Sequence, residues 1–508
     1  MSATQSSIPE LDRVARPSAS TDGTAVRLVL ANALALVVAY ALPRVLTLGA
    51  VIIAARVLGA ARFGAYATAG ATAVILSILS TAGMQPLLVR EMARDPRSAP
   101  GLLRAAHWIK TGLNGVMLIA LCVLADAAFG LQGEALWAAL VLGAGYSIGS
   151  YAENFAAYFQ AVERMHVWTA ANAAYGIVAG LAGAVLIWST HSLPWFCAAM
   201  VLGHLAAVFW LLRTYRRDHP ARTRVAASGN QSVRALLRAA VPFAAAFLAL
   251  TLFYKADVLI LSGVRPDADV GMYTAAYKLV DIAQALMLAA IIATYPRLAR
   301  ATAARAGAGP WAGSRLAELA LLIMAPVAAL GFLLRERILA GLYGSAYQDA
   351  AAPAGFLVLA LLPLALNLLG GYILAATDRM KVMVALYGGA ALVKLTAVAI
   401  VAPRWGGAGV AAAMLGSELL LGASFLIALR HTAHAAPGWR ALAGVLATAA
   451  GCAFAALVPG DSAVVRVLVL LALVVPAYVW LDVVPAEERA VLRAALRPGS
   501  GRARVGQL

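Results

Sequence analysis

Ala61-Arg-Phe-Gly-Ala-Tyr-Ala-Thr-Ala69 returns 207 residues later as Ala268-Asp-Val-Gly-Met-Tyr-Thr-Ala-Ala276, with Gly64 over Gly271 and Tyr66 over Tyr273. Arg90 and Arg297 keep the same spacing. Each copy opens an apolar run long enough to cross a bilayer, whose hydrocarbon core of about 30 Å takes roughly 20 helical residues. Further out, Glu163-Arg164-Met165 is echoed by Asp378-Arg379-Met380 at a spacing of 215, and Ala198-Ala199-Met200 by Ala412-Ala413-Met414 at 214. The members of each pair lie six apolar runs apart. Repeats so spaced share one orientation and are related by an axis along the membrane normal. The pattern predicts two pseudo-symmetric six-helix lobes.

The composition agrees with that reading. Hydrophobic residues make up 63% of the 508 and charged residues 12%, with a mean hydropathy of +0.83. An ordinary soluble domain has about 45–50% apolar and about 25% charged residues, so this chain needs lipid to face. The fold class is all-α integral membrane, with about fourteen transmembrane helices. Breaks at Pro, Gly and charge place them near 28–56, 64–89, 105–125, 135–160, 167–188, 193–212, 239–263, 270–295, 316–334, 354–376, 382–402, 407–429, 441–458 and 463–484. The expected organisation is a cytosolic tail (1–27), an N-terminal lobe (28–212), a basic cytosolic linker (213–238), a C-terminal lobe (239–430), two extra helices (431–484) and a second cytosolic tail (485–508).

A net charge of +17 would suggest nucleic acid as partner in a soluble protein. Here the basic residues lie between apolar helices. Twenty-nine of them fall on one set of loop faces and seven on the other; the positive-inside rule then puts both termini on the cytosolic side and leaves no role for nucleic acid. Residues 1–26 lack the apolar stretch of a secretory signal. Cys122, Cys197 and Cys452 each lie inside an apolar run, with no spacing that suggests a metal site or a disulfide. No Gly-x-x-x-x-Gly-Lys-Ser/Thr motif is present, so no nucleotide cofactor is expected, and H⁺, Na⁺ or a substrate gradient would have to drive any flux.

Several segments carry a family resemblance. Ala55-Arg-Val-Leu-Gly-Ala-Ala-Arg-Phe-Gly-Ala-Tyr66, followed by Gly83-Met84 and Leu88-Val-Arg-Glu91, resembles the start of the bacterial polysaccharide biosynthesis flippases. Gln160-Ala-Val-Glu-Arg-Met165, Val270-Gly-Met-Tyr-Thr-Ala-Ala-Tyr-Lys278 and Tyr295-Pro-Arg-Leu-Ala299 are similar to later parts of that family. The family belongs to the multidrug/oligosaccharidyl-lipid/polysaccharide exporter superfamily. The resemblance implies two lobes around a cavity that opens alternately to each side. It also implies a polyprenyl-pyrophosphate oligosaccharide as substrate, flipped to the periplasmic leaflet, with membrane lipids and other polysaccharide assembly proteins as partners. Fourteen helices rather than twelve also fit the lipid II flippases of the superfamily.

A pyrophosphate leaving the headgroup layer needs cations in a cavity of low dielectric. Four basic residues fall within predicted spans: Arg44 beside Pro43 in the first, Lys255 in the seventh, Lys278 in the eighth and Lys394 in the eleventh. An ionisable group in a membrane faces a wet cavity or a partner. Arg44, Lys255 and Lys278 are therefore candidate substrate contacts, with Lys394 a weaker one because a lysine near a lobe edge can snorkel. Glu153, Asp257, Asp281 and Glu418 are candidate carriers of a coupling ion. Structural ion pairs within one lobe, Lys278 with Asp281 or Asp257, would satisfy the same sequence, as would a neutral Glu hydrogen-bonded between helices. Elsewhere, Gly176-Ile-Val-Ala-Gly180 reads as a close helix contact. Pro43, Pro242 and Pro363 read as kinks, and Trp195, Trp405 and Trp439 as interfacial anchors. A cation-coupled drug exporter fits four intramembrane bases poorly. A periplasmic polymerase or ligase would need a larger loop than residues 335–353, the longest on that side.

Overall fold

Within hydrocarbon no water can satisfy a backbone amide, so Ala-, Leu- and Val-rich runs must close their hydrogen bonds inside the segment, as helices do. The computed structural model describes residues 23–81, 83–218, 233–303, 311–376, 379–429, 439–458 and 462–480. The predicted N-terminal tail to residue 22, most of the basic linker (219–232) and everything after residue 480 lie outside the described residues.

Among the described residues fourteen α-helices follow in order: α1 (Gly23–Thr81), α2 (Met84–Arg94), α3 (Ala99–Ala127), α4 (Gly133–Ala161), α5 (Met165–Thr190), α6 (Leu193–Asp218), α7 (Val233–Val264), α8 (Asp267–Ala303), α9 (Trp311–Tyr343), α10 (Ala351–Leu359), α11 (Leu361–Ala376), α12 (Met380–Leu429), α13 (Trp439–Leu457) and α14 (Ala463–Trp480). Among the described residues there is no strand. Ten of the candidate spans are long and apolar enough to cross a membrane, and eleven when the pair α10–α11, bent by 44°, is taken together. Two of these candidates each contain two predicted spans, because α1 and α12 are interrupted at Gly59 (φ 73°, ψ 171°) and Gly406 (φ 53°, ψ −143°). Positive φ favours glycine at such breaks. With α8 on the eighth, each predicted span has helix among its described residues. Large apolar side chains such as Leu392, Leu457 and Trp480 stay exposed on the outer surface, a surface that suits lipid rather than water. The chain is a multi-pass membrane protein.

Several details differ from the sequence reading. The second predicted span breaks at Gly83 (φ 64°) before α2 begins. Pro43 and Pro242 lie inside helices whose only non-helical position, where one occurs, is a glycine. Pro363, in contrast, follows the α10–α11 bend, where its ring would clash with the carbonyl four residues back. The expected loop 335–353 is helical to Tyr343 and then forms a 3₁₀ turn, Ser345–Ala350.

Residues 39–483 form one compact unit that contains everything discussed below. In that unit α4 and α5 pack on α6, and α2 and α3 pack on α4. The second half mirrors this, with α7, α10 and α11 on α12, and α13 and α14 lie against α9. Glycine permits the closest approaches. A Cβ at Gly176 would sit 2.9 Å from Pro43 Cα, and one at Gly180 2.7 Å from the Leu46 carbonyl carbon. The small-residue motif thus seats α5 on α1.

The two halves touch at the repeat itself. A Cβ at Gly64 would collide with the Asp267 carbonyl oxygen and lie 2.9 Å from Gly271 N, while one at Gly271 would collide with the Ala60 carbonyl oxygen. The repeat-related glycines therefore face each other, backbone against backbone. Around them Arg56 donates to the Leu342 carbonyl at 2.6 Å and to that of Gly341, and the Tyr347 hydroxyl donates to the Ala55 carbonyl at 2.8 Å. The end that holds Gly64 and Gly271 is the one the charge pattern puts in the periplasm; a further contact, Gly83 against Phe243 and Ala244 of α7, lies toward the opposite end.

Candidate functional site

The in-membrane charges sort into three groups, set by which helices bring them together. The first is a recess between α1, α7 and α8. Lys278 and Asp281 lie one turn apart on α8 and form an ion pair at 2.6 Å, with side chains 21% and 30% exposed. Asp281 lies within electrostatic reach of Lys278, Lys255 and Arg44. Arg44, from α1, is exposed. Lys255, from α7, places its ammonium 5.1 Å from the centre of the Tyr277 ring. Among the described residues Lys255 has no ion pair. Three of the four candidate substrate contacts thus share one recess, where among the described residues three cations gather around Asp281.

The second group is closed. Lys394 and Asp257 are both fully buried and form an ion pair at 2.8 Å. The Lys394 ammonium also donates to the Phe253 carbonyl at 2.6 Å, and the Tyr273 hydroxyl donates to Asp257 at 2.7 Å. Buried charges persist only when paired and hydrogen-bonded in this way. Lys394 therefore neither snorkels nor points into the recess, and Asp257 pairs with it rather than with Lys278. Glu418 and Asn367 of α11 lie nearby, both fully buried. The Asn367 amide nitrogen donates to the Glu418 carboxylate and, at 3.0 Å, to its backbone carbonyl.

The third group lies between α3 and α4. Glu153 pairs at 2.9 Å with Lys110, a fully buried lysine that also donates to the Ser150 carbonyl at 2.6 Å. Lys110 is thus a membrane-embedded residue rather than one of the loop residues counted above, although its position after five residues of the third apolar run could have indicated this. Sequence reasoning also missed Asn367 and Tyr273 as partners. Tyr273 was visible only as a repeat residue.

The repeat is chemically one-sided. At the 207-residue spacing, Lys255, Asp257, Lys278 and Asp281 correspond to Leu48, Ala50, Ala71 and Val74. Tyr66, the counterpart of Tyr273, packs against Phe63 and Phe196 rings where Tyr273 meets a carboxylate. Apart from Arg44, the recess charges thus belong to the second half. The described residues contain no cluster of three or more His, Cys, Asp or Glu able to hold a metal ion.

Solved structures share this fold. A lipid II flippase MurJ in an inward closed conformation superposes with a TM-score of 0.68 at 13% identity, covering 91% of this chain and 100% of its own. An inward-facing multidrug resistance transporter of the MATE family gives 0.59 at 15%, covering 78% and 94%. A transporter of the same superfamily from Pyrococcus furiosus, described as having a binding pocket of reversed polarity, gives 0.56 at 14%, covering 79% and 94%. At these identities the likeness is one of fold. No curated protein matches in sequence. The model of the family described as polysaccharide biosynthesis protein matches residues 29–302. With more than half of the sequence so matched, from the first span through nearly all of α8, the chain belongs to the polysaccharide biosynthesis protein family.

Proposed function

We propose that the protein is a flippase that moves a polyprenyl-pyrophosphate-linked oligosaccharide from the cytosolic to the periplasmic leaflet of the inner membrane, by alternating access, for surface polysaccharide synthesis. One observation carries the reading: among the described residues, Arg44, Lys255 and Lys278 gather around Asp281 in the recess between α1, α7 and α8, while Asp257 is already paired with Lys394. A surplus of positive charge enclosed by apolar helices attracts a multivalent anion strongly, because low dielectric magnifies the attraction. The same surplus repels organic cations and disfavours a drug exporter. Membership of the polysaccharide biosynthesis family supports a saccharide carried on that anion.

Lipid II, also a polyprenyl-pyrophosphate saccharide, is the second reading. The coverage by a lipid II flippase fold of 91% of this chain favours it. Both readings place the pyrophosphate against Lys255 and differ only in the sugar.

Deletion of the gene decides between them. Loss of surface polysaccharide, with lipid-linked oligosaccharide retained on the cytosolic leaflet, is expected. Intact surface polysaccharide in a strain without a redundant flippase would refute the first reading, and lysis with lipid II accumulation would establish the second.

A further inference from the structure

Glu418 stands apart from the recess, and its surroundings pose a problem of hydrogen bonding. The side chain is wholly buried, as is that of Asn367. Asn367 donates its amide nitrogen to Glu418 Oε2. Glu418 Oε1 and Asn367 Oδ1, both buried, have no hydrogen-bond partner. An ionised carboxylate oxygen and an amide oxygen are both acceptors, so neither can satisfy the other. A single proton on Oε1 removes the difficulty. The acid O–H then supplies a donor, for which the unpartnered Asn367 Oδ1 is an acceptor on the residue whose amide N–H already donates to Oε2.

The charges around the pair point the same way. Facing Glu418 are the Lys394 ammonium and the phenols of Tyr254 and Tyr277. Lys394 is already held by Asp257 at 2.8 Å, and the phenols are neutral. An ionised Glu418 would therefore be a buried anion with no cation of its own, a costly arrangement.

We infer that Glu418 and Asn367 form a proton-binding site, loaded in this conformation, and that its proton is the coupling ion of the transport cycle. The second half of this inference rests on the flippase reading. Loss of the proton leaves two carboxylates, Glu418 on α12 and Asp257 on α7, competing for the single Lys394 ammonium. Because α7 also carries Lys255, the state of the pair reaches the anion recess through one helix. With Glu418 sealed from solvent, proton exchange requires the helices around it to part.

Infrared spectroscopy on the purified full-length chain tests the site without any substrate. A protonated-carboxyl stretch is expected at neutral pH, abolished by Glu418→Gln, moved to higher frequency by Asn367→Leu, and unchanged by Asp281→Asn. Glu418→Gln keeps the shape and can pair with the Asn367 amide, so the fold is retained. Absence of a band sensitive to Glu418→Gln overturns the site, and so does a band that sodium removes at constant pH. For coupling, flipping in proteoliposomes should respond to a pH gradient in the wild type and lose that response in Glu418→Gln. An unaltered response in the variant overturns the coupling role. If no saccharide lipid is flipped at all, the flippase reading fails, while the infrared result still decides the proton site.

Discussion

Replacing Gly64 by alanine should open the seal between the two halves. The new Cβ would strike the Asp267 carbonyl oxygen and lie 2.7 Å from its carbonyl carbon, whereas carbon atoms in contact normally stand about 3.5–4.0 Å apart. The two helices must separate by about 1 Å or more. Overpacking of this kind costs about 1–3 kcal/mol, and only in the conformation where α1 and α8 touch. The helix-propensity gain of Gly→Ala is common to both conformations and cancels. With about 1.4 kcal/mol per factor of ten, the population open on this side should rise about 5- to 150-fold. Labelling from outside the cell reads this out, using a membrane-impermeant maleimide on Thr274→Cys, one turn further along α8, with Cys122, Cys197 and Cys452 replaced. Gly271→Ala should act in the same way. Gly49→Ala, where a Cβ meets nothing within 4 Å, should not. Unchanged labelling of Gly64→Ala at normal abundance, or an equal rise in Gly49→Ala, would refute the proposed seal.

Three further outcomes follow from the same contacts. Arg56→Ala removes charged hydrogen bonds to two carbonyls of α9, each worth about 1.5–3 kcal/mol, and should raise the same labelling rate. Lys394→Met strands the buried Asp257 at a cost of about 3–5 kcal/mol; the amount of protein in membranes should fall and recover with Asp257→Asn, and no fall would contradict the closed pair. Lys278→Ala should lower flipping, and because Lys278 pairs with Asp281, any loss of abundance should be relieved by Asp281→Asn and not by Asp257→Asn; flipping restored in either double mutant would contradict a substrate contact at Lys278.

The helices were legible in the sequence because apolar length alone decides them in a membrane, and the repeat was legible because Gly64 and Gly271 are needed for backbones to touch. Gly176 and Gly180 could likewise be read as a contact, although not as one with Pro43 and Leu46. The partners of the charges were not legible. Lys278 and Asp281 are neighbours on one helix turn, a local spacing that a sequence reveals. Lys394 and Asp257 are 137 positions apart, and only the packing of α7 against α12 brings them together. Lys110 looked like a loop residue because it stands near the start of its span, and its pairing with Glu153 depends on how α3 and α4 align. In α1 the helical φ/ψ break at Gly59 and not at Pro43, and in α7 they run through Pro242 without a break, while the break of α12 at Gly406 was not read from the sequence.

The central claim is that unpaired positive charge in the recess holds the pyrophosphate of a lipid-linked saccharide. Its most direct test is the rate at which the purified protein flips a polyprenyl-pyrophosphate oligosaccharide in proteoliposomes, compared between wild type and Lys255→Ala. Among the described residues Lys255 forms no ion pair, and Asp281 keeps its contact with Lys278, so the variant should insert normally. Loss of one charge-assisted contact of roughly 1.5–3 kcal/mol should slow flipping by about 10- to 150-fold. Flipping at the wild-type rate by a normally inserted Lys255→Ala protein would contradict the account.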